Sequence, residues 1–162
     1  MTNAQPFRTA SAYKSLDKIV IHSHGRTPAG FYVACDPYFK LACDASAEDC
    51  GKTVLAALNA YRFEVPQPKS NEWTEMTRAL VRGVGAKSHK QLQLNAICCG
   101  ILEHAARLAI EPTHNRGTTG SSKGFQPINE ALVIAARDAS SAEIGTALLR
   151  GFDLCTNTLE QQ

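Results

Sequence analysis

No stretch of this sequence approaches the ~18 uninterrupted apolar residues that a membrane-spanning helix requires. With 44% apolar and 20% charged residues, its composition is that of an ordinary globular chain. A membrane protein and a disordered chain are both excluded as readings. The first twelve residues contain no apolar core of the kind an export signal carries, so the expectation is a protein that stays in the cytoplasm.

Ligand spacing for a metal is also missing. The six cysteines, Cys35, Cys43, Cys50, Cys98, Cys99 and Cys155, include no C-x-x-C pair, and His22-Ser23-His24 is the one close histidine pair. A tetrahedral zinc site needs four convergent ligands, and disulfides persist in oxidising compartments. The cysteines are therefore read as reduced thiols behaving as small buried hydrophobes, and neither a metal nor a cofactor is expected. Two catalytic signatures are absent too: no Gly-x-x-x-x-Gly-Lys-Ser/Thr and no His-Glu-x-x-His occurs. The run from Gly117 to Gly124 has the wrong spacing for a phosphate loop and reads as a flexible connector. His22, His24, His89, His104 and His114 show no partner in sequence, so no catalytic residue is assigned. The net charge of +2 is too small to imply a nucleic-acid partner by itself, since such domains usually have a pI above ~9.

What the sequence does contain is a duplication. Gly30-Phe31 and Asp44-Ala45-Ser46 recur 94 positions on as Gly124-Phe125 and Asp138-Ala139-Ser140, and Gly51 recurs as Gly145. The apolar positions Cys50, Val54, Leu58 and Tyr61 match Ile144, Leu148, Phe152 and Cys155 at helical spacing. Ser46 stands three residues before Asp49, and Ser140 three before Glu143. A serine oxygen there accepts a free amide of the first helical turn. The spacing predicts helices over 46–63 and 140–157.

Alternation and β-branched content predict strands at 18–22, 31–35 and 38–43 in the first copy and at 131–136 in the second. Val65-Pro66-Gln67-Pro68 interrupts helical structure. A further helix over 71–81 would use Trp73, Met76, Thr77 and Leu80. The runs 94–104 and 106–112 read as strands, with helix as the competitor, because Glu103-His104-Ala105-Ala106 lacks the glycine or asparagine that favours a tight turn. The expected fold is α+β, one domain over 1–162 with a flexible segment at 1–16. It has a twisted, mostly antiparallel sheet built from two strand-strand-strand-helix repeats, with an extra helix between them. By pattern, that doubled unit resembles the Whirly single-stranded-DNA-binding proteins.

The sequence also resembles the immunity proteins of contact-dependent growth inhibition systems, the CdiI type. The residues that carry the likeness are Thr27-Pro28-Ala29-Gly30-Phe31, Asp36-Pro37, Asp44-Ala45-Ser46, the run Gly51 to Leu58, Val65-Pro66, Ile110-Glu111-Pro112-Thr113, Lys123-Gly124-Phe125, and Ser140, Gly145 and Phe152. Cys98-Cys99 and the loop 117–124 depart from that pattern. The resemblance implies a small antitoxin, not an enzyme, that binds the C-terminal toxin domain, often a nuclease, of a CdiA-type effector. Function concentrates on loops held by a rigid scaffold, so the expected contacts lie in loops 23–29 and 113–123, with Arg26, Thr27, Arg116 and Lys123 as the partner-binding candidates. A single-stranded nucleic-acid-binding role is the alternative, with Phe31, Tyr38 and Phe39 as stacking platforms. For those three rings, a place in the core is the favoured reading.

Overall fold

A computed structural model describes residues 7–121 and 123–158. The first unit runs β1 (Arg8–Lys14), β2 (Lys18–Arg26), β3 (Tyr32–Ala42) and α1 (Ala47–Asn59). Two helices follow, α2 (Trp73–Val84) and α3 (His89–Asn95). The second unit runs β4 (Ile97–His104), β5 (Arg107–Asn115), β6 (Phe125–Pro127), β7 (Val133–Ala136) and α4 (Ser141–Leu154), and ends on β8 (Thr156–Asn157). The sheet order is β3-β2-β1-β4-β5-β6, with β7 and β8 also paired to β5. Every pairing but that of β8 is antiparallel. The order is therefore palindromic about the β1–β4 seam: each unit contributes its first strand to the centre and its third to an edge.

The duplication seen in sequence is thus structural. Ser46 and Ser140 cap α1 and α4 alike, each accepting from the amide of the acid three residues on, at 3.1 Å. The matched stripes, Cys50, Val54 and Leu58 on α1 and Ile144, Leu148 and Phe152 on α4, are buried with Ala10, Ala12, Ile19, Ile21, Ile101, Leu108 and Ile110 from one face of the sheet. The two helices touch at equivalent points. A Cβ placed on Gly51 would lie 1.7 Å from the carbonyl oxygen of Ser141, and one placed on Gly145 would lie 1.6 Å from that of Ala47. Both contacts are with backbone, so no side chain can move aside.

Three expectations are corrected. The segment 1–16 is not a flexible lead-in over residues 8–14, which form β1, a central strand paired on both sides; residues 1–6 lie outside the described residues. Two helices rather than one separate the copies, because Ser88 caps a short α3 through the amide of Gln91. The strands expected at 31–35 and 38–43 are one continuous strand, β3, with an irregular register opposite His22 and Ser23. The competition between strand and helix after residue 94 resolves as strand: β4 and β5 form a hairpin whose two loop residues, Ala105 and Ala106, both take positive φ, 49° and 65°. That geometry normally selects Asn-Gly, so two alanines carry no turn signal.

In a helix Ala is favoured over Gly by roughly 1 kcal/mol, yet Gly145→Ala is expected to destabilise by about 2 kcal/mol or more, because the added methyl must force two backbones apart. Urea denaturation of Gly51→Ala, Gly145→Ala and the double variant measures this. The double variant should cost less than the two singles together, since one separation of the helices relieves both clashes. A neutral or stabilising Gly145→Ala would show that the helices are not held at this spacing.

Candidate functional site

The face of the sheet away from α1 and α4 is only half covered. Val20 packs there with Val84, Leu92 and Ala96 of the α2–α3 region, and Tyr13, Tyr38, Leu80 and Ala86 pack around them. Gly83 of α2 sits directly on the Tyr38 ring, which a Cβ would approach to 2.5 Å. Toward the other end of the same face the sheet is open. There a groove of about 410 Å3 is lined by Phe7, Thr9, His24, Tyr32, Gly100, Leu102 and Glu111.

His24 organises the groove. Its Nδ1 lies 2.7 Å from Thr9 Oγ1 and its Nε2 2.8 Å from Ser11 Oγ, both hydroxyls presented by β1. A neutral imidazole satisfies this pair, donating with one nitrogen and accepting with the other. Burial holds the His24 pKa down, from the usual 6.5 to about 3, with His22 beside it adding to the effect. His22 is buried as well, donates from Nδ1 to Ser23 O at 2.8 Å and is likewise depressed by burial. Each ring is held by neutral groups, and neither has a carboxylate among its partners. The arrangement orients side chains; it does not build a base for proton transfer.

Beside the groove, the end of the sheet carries an unusual set of exposed rings. Phe31 is 57% exposed, Tyr32 46%, Phe63 50% and Trp73 41%. Phe31 and Trp73 meet edge to face at 6.4 Å. Phe63 packs on Tyr61 at 5.0 Å and takes the Arg8 guanidinium over its face. The segment around Arg62 runs alongside β2, giving Arg26 N→Arg62 O at 3.0 Å and Val65 N→Arg26 O at 2.9 Å, so Phe63 is held near this end of the sheet, and Arg26 pairs with Tyr32 across β2 and β3. Arg62 is paired with Asp36 at 2.6 Å, whereas Arg26 is exposed and has no ion pair among the described residues.

The four residues expected to bind a partner do not come together. Cross-strand register aligns Ser23, Ala10, Ile101 and Ile110 in one row. Arg26 lies beyond this row at one end of the sheet, and Arg116 and Lys123 lie past β5 at the opposite end. Thr27 is only 3% exposed; its Oγ1 accepts from the Phe31 amide at 3.1 Å, so it shapes the 27–31 loop instead of facing out of it. Lys123 lines a separate cavity of about 530 Å3 with His89, Lys90, Gln93 and Phe125. Of the rings weighed as stacking platforms, Tyr38 and Phe39 are half-buried and packed, and Phe31 is the exposed one. Trp73 was assigned to an apolar helical stripe; its exposure carried no signal in sequence. Among the described residues no group of three or more His, Cys, Asp or Glu side chains is placed to hold a metal ion, and no helix is long and apolar enough to cross a membrane.

These features define a scaffold that presents an aromatic and arginine-bearing surface, the composition of a protein-binding face. A family model described as CdiI, CDI immunity protein, matches residues 8–155. The chain belongs to that family of immunity proteins. Solved structures share the fold, two of them as follows. One is a protein of unknown function from Neisseria meningitidis, with TM-score 0.74 and 21% identity over 96% of this chain and 99% of that one. The other is a CdiA-CT/CdiI toxin and immunity complex from Yersinia pseudotuberculosis, with TM-score 0.71 and 20% identity over 95% of this chain and 100% of that one. No curated protein matches the chain in sequence.

The depressed His24 pKa fixes a pH dependence. Between about 6.5 and about 3 the unfolded chain binds a proton that the folded chain refuses, so stability is full above pH ~6.5 and is lost as pH falls. Urea unfolding at pH 7 and pH 5 should differ by on the order of 2 kcal/mol from this residue. The difference should shrink in His24→Gln, and an unchanged difference would place the titration elsewhere.

Proposed function

We propose that this chain neutralises the C-terminal toxin domain of a CdiA-type effector by binding it in the cytoplasm, and that it does so without catalysis of its own. The observation that carries this is the family match over nearly the whole described chain. The solved complex of the same fold, titled as a toxin with its immunity protein, supports the same partner. A nuclease as the toxin's activity rests on the family resemblance.

The interface we propose is the β2–β3 end of the sheet, with Arg26, Phe31, Tyr32, Phe63 and Trp73. Binding energy in protein interfaces concentrates in buried Trp, Tyr and Arg anchors, and this end holds all three types within one surface. Phe31 and Trp73 already brace one another, so less side-chain entropy is lost when a partner covers them. Arg26 has a planar fork with no carboxylate to satisfy it, and is suited to a bidentate bond with an acidic residue of the toxin. Among the described residues the Arg116 and Lys123 end offers an arginine but no exposed Trp or Tyr, and the register separates it too far to share a small interface.

Co-expression of the toxin domain encoded beside this chain tests the reading. Wild-type protein should restore growth and bind the toxin. Arg26→Glu and Trp73→Ala should each weaken binding by about tenfold or more, while Arg116→Glu/Lys123→Glu should stay within about twofold. Loss of binding only in the Arg116/Lys123 variant would move the interface to the other end. A salt-sensitive affinity for single-stranded DNA with no toxin binding would replace the immunity reading with the nucleic-acid alternative.

A further inference from the structure

Glu111 has no role in the fold or in the surface described so far, although it lies in the Ile110-Glu111-Pro112-Thr113 run singled out in the sequence. It projects from β5 onto the open face of the sheet, where it lines the groove of about 410 Å3. Half-buried, it makes no hydrogen bond and no ion pair within the described residues. The comparison with Glu103 is instructive: that carboxylate, one strand over, is met by Arg137 Nε at 2.9 Å. Burial alone raises the Glu111 pKa, with no cation offsetting it. A carboxylate partly withdrawn from water without a partner costs stability in the free protein.

The surroundings keep that carboxylate available. Gly100 stands opposite Glu111 on β4, and a Cβ there would lie 3.1 Å from Glu111 Oε2. Glycine lets the carboxyl lie across the strand toward Ser11, which pairs with Gly100 on the other side. His24 brings no positive charge, because burial holds its pKa down and its two hydroxyl partners satisfy the neutral ring. The walls are apolar and aromatic: Phe7, stacked on His104 at 4.0 Å, then Tyr32 and Leu102. A chamber with an unpaired carboxylate at its floor and rings at its sides fits one kind of group, a cation on an aliphatic stem. The stem packs on the walls, the rings attract the charge, and the carboxylate meets it at the end.

We infer that the Glu111 groove receives a basic side chain, arginine or lysine, of the toxin domain. The inference rests on the immunity reading and supplies it with a charge-specific pocket. Tyr32 belongs both to the groove and to the exposed aromatic end, so the pocket is continuous with the proposed interface. The groove discriminates by charge: a toxin surface offering a carboxylate at that point is repelled.

Two measurements on the full chain test this. In the first, Glu111→Gln, which keeps shape and removes charge, is compared with wild type for affinity to the toxin domain encoded beside the gene. Binding should weaken by at least tenfold and lose part of its salt dependence, while the thermal midpoint stays equal to or above that of wild type. Affinity within twofold of wild type overturns the pocket and leaves the immunity reading standing. In the second, isotope-labelled protein is titrated with Nα-acetyl-arginine amide, Nα-acetyl-lysine amide and the neutral Nα-acetyl-citrulline amide. The amide signals of Ser11, Gly100 and Glu111 should move with either cation, not with citrulline, and not in Glu111→Gln. Equal shifts with citrulline, or none with either cation, overturn the pocket even if the variant misfolds. Cation-specific shifts in a protein that binds no toxin would support the pocket and remove the immunity reading.

Discussion

The close approach of α1 and α4 at Gly51 and Gly145 sets the geometry from which the rest of the structure follows. Each glycine sits against the carbonyl of the first residue of the other helix, and only at that spacing do both apolar stripes reach the same sheet face. The central strands accept the pair because they are lined with small residues there: Ala10 and Ala12 on β1 are buried beneath the helices. Packing two helices this tightly over the β1–β4 seam makes the duplicated units mutually dependent, since neither stripe would be covered without the other.

The symmetry stops at the other face, beside the proposed interface. The segment carrying α2 and α3 follows only the first unit, and it covers the sheet around Val20 and Tyr38. The region around His24, Gly100 and Glu111 remains open. An arrangement that closes one face and covers the other by half leaves a groove on strands whose far side is locked by the helix pair, with exposed rings at its border. His24, in the groove, and His22 beside it are both kept neutral by burial. Among the described residues, the Glu111 carboxylate lines that groove without an ion-pair partner. Rigid scaffold and unmet polar group together suit recognition better than chemistry.

Much of the fold was legible because it is repeated. The capping serines, the matched stripes and the paired glycines each occur twice, so a signal too weak alone gained weight from its copy. The parts that were missed lack that support. β1 alternates Ala10 and Ala12 with Thr9, Ser11 and Tyr13; its buried side is alanine, which gives little hydrophobic contrast although the strand is central. α3 is a single short helix whose Ser88–Gln91 cap was readable but had no counterpart. The candidate site was less legible still. Arg26 falls in the stretch 23–29 expected as a loop, although it ends β2, and the distance separating it from Arg116 depends on register, which no local pattern records. Trp73 reads as a core residue at helical spacing and turns out to brace Phe31 at the surface. Glu111 stands out by having no hydrogen bond or ion pair among the described residues, and absence of a contact is a property of three dimensions.

The central claim is that a toxin domain covers one end and the adjoining open face of this sheet. Hydrogen exchange of the chain, free and saturated with the toxin domain encoded beside it, tests this most directly, because amides under a partner are shielded wherever the interface lies. The account predicts slowed exchange in the 27–32 loop, around Phe63 and Trp73, and in β1, β4 and β5 near Ser11, Gly100 and Glu111, with 116–124 unchanged. Protection confined to 116–124 and α3, with the aromatic end exchanging as in the free protein, would contradict it.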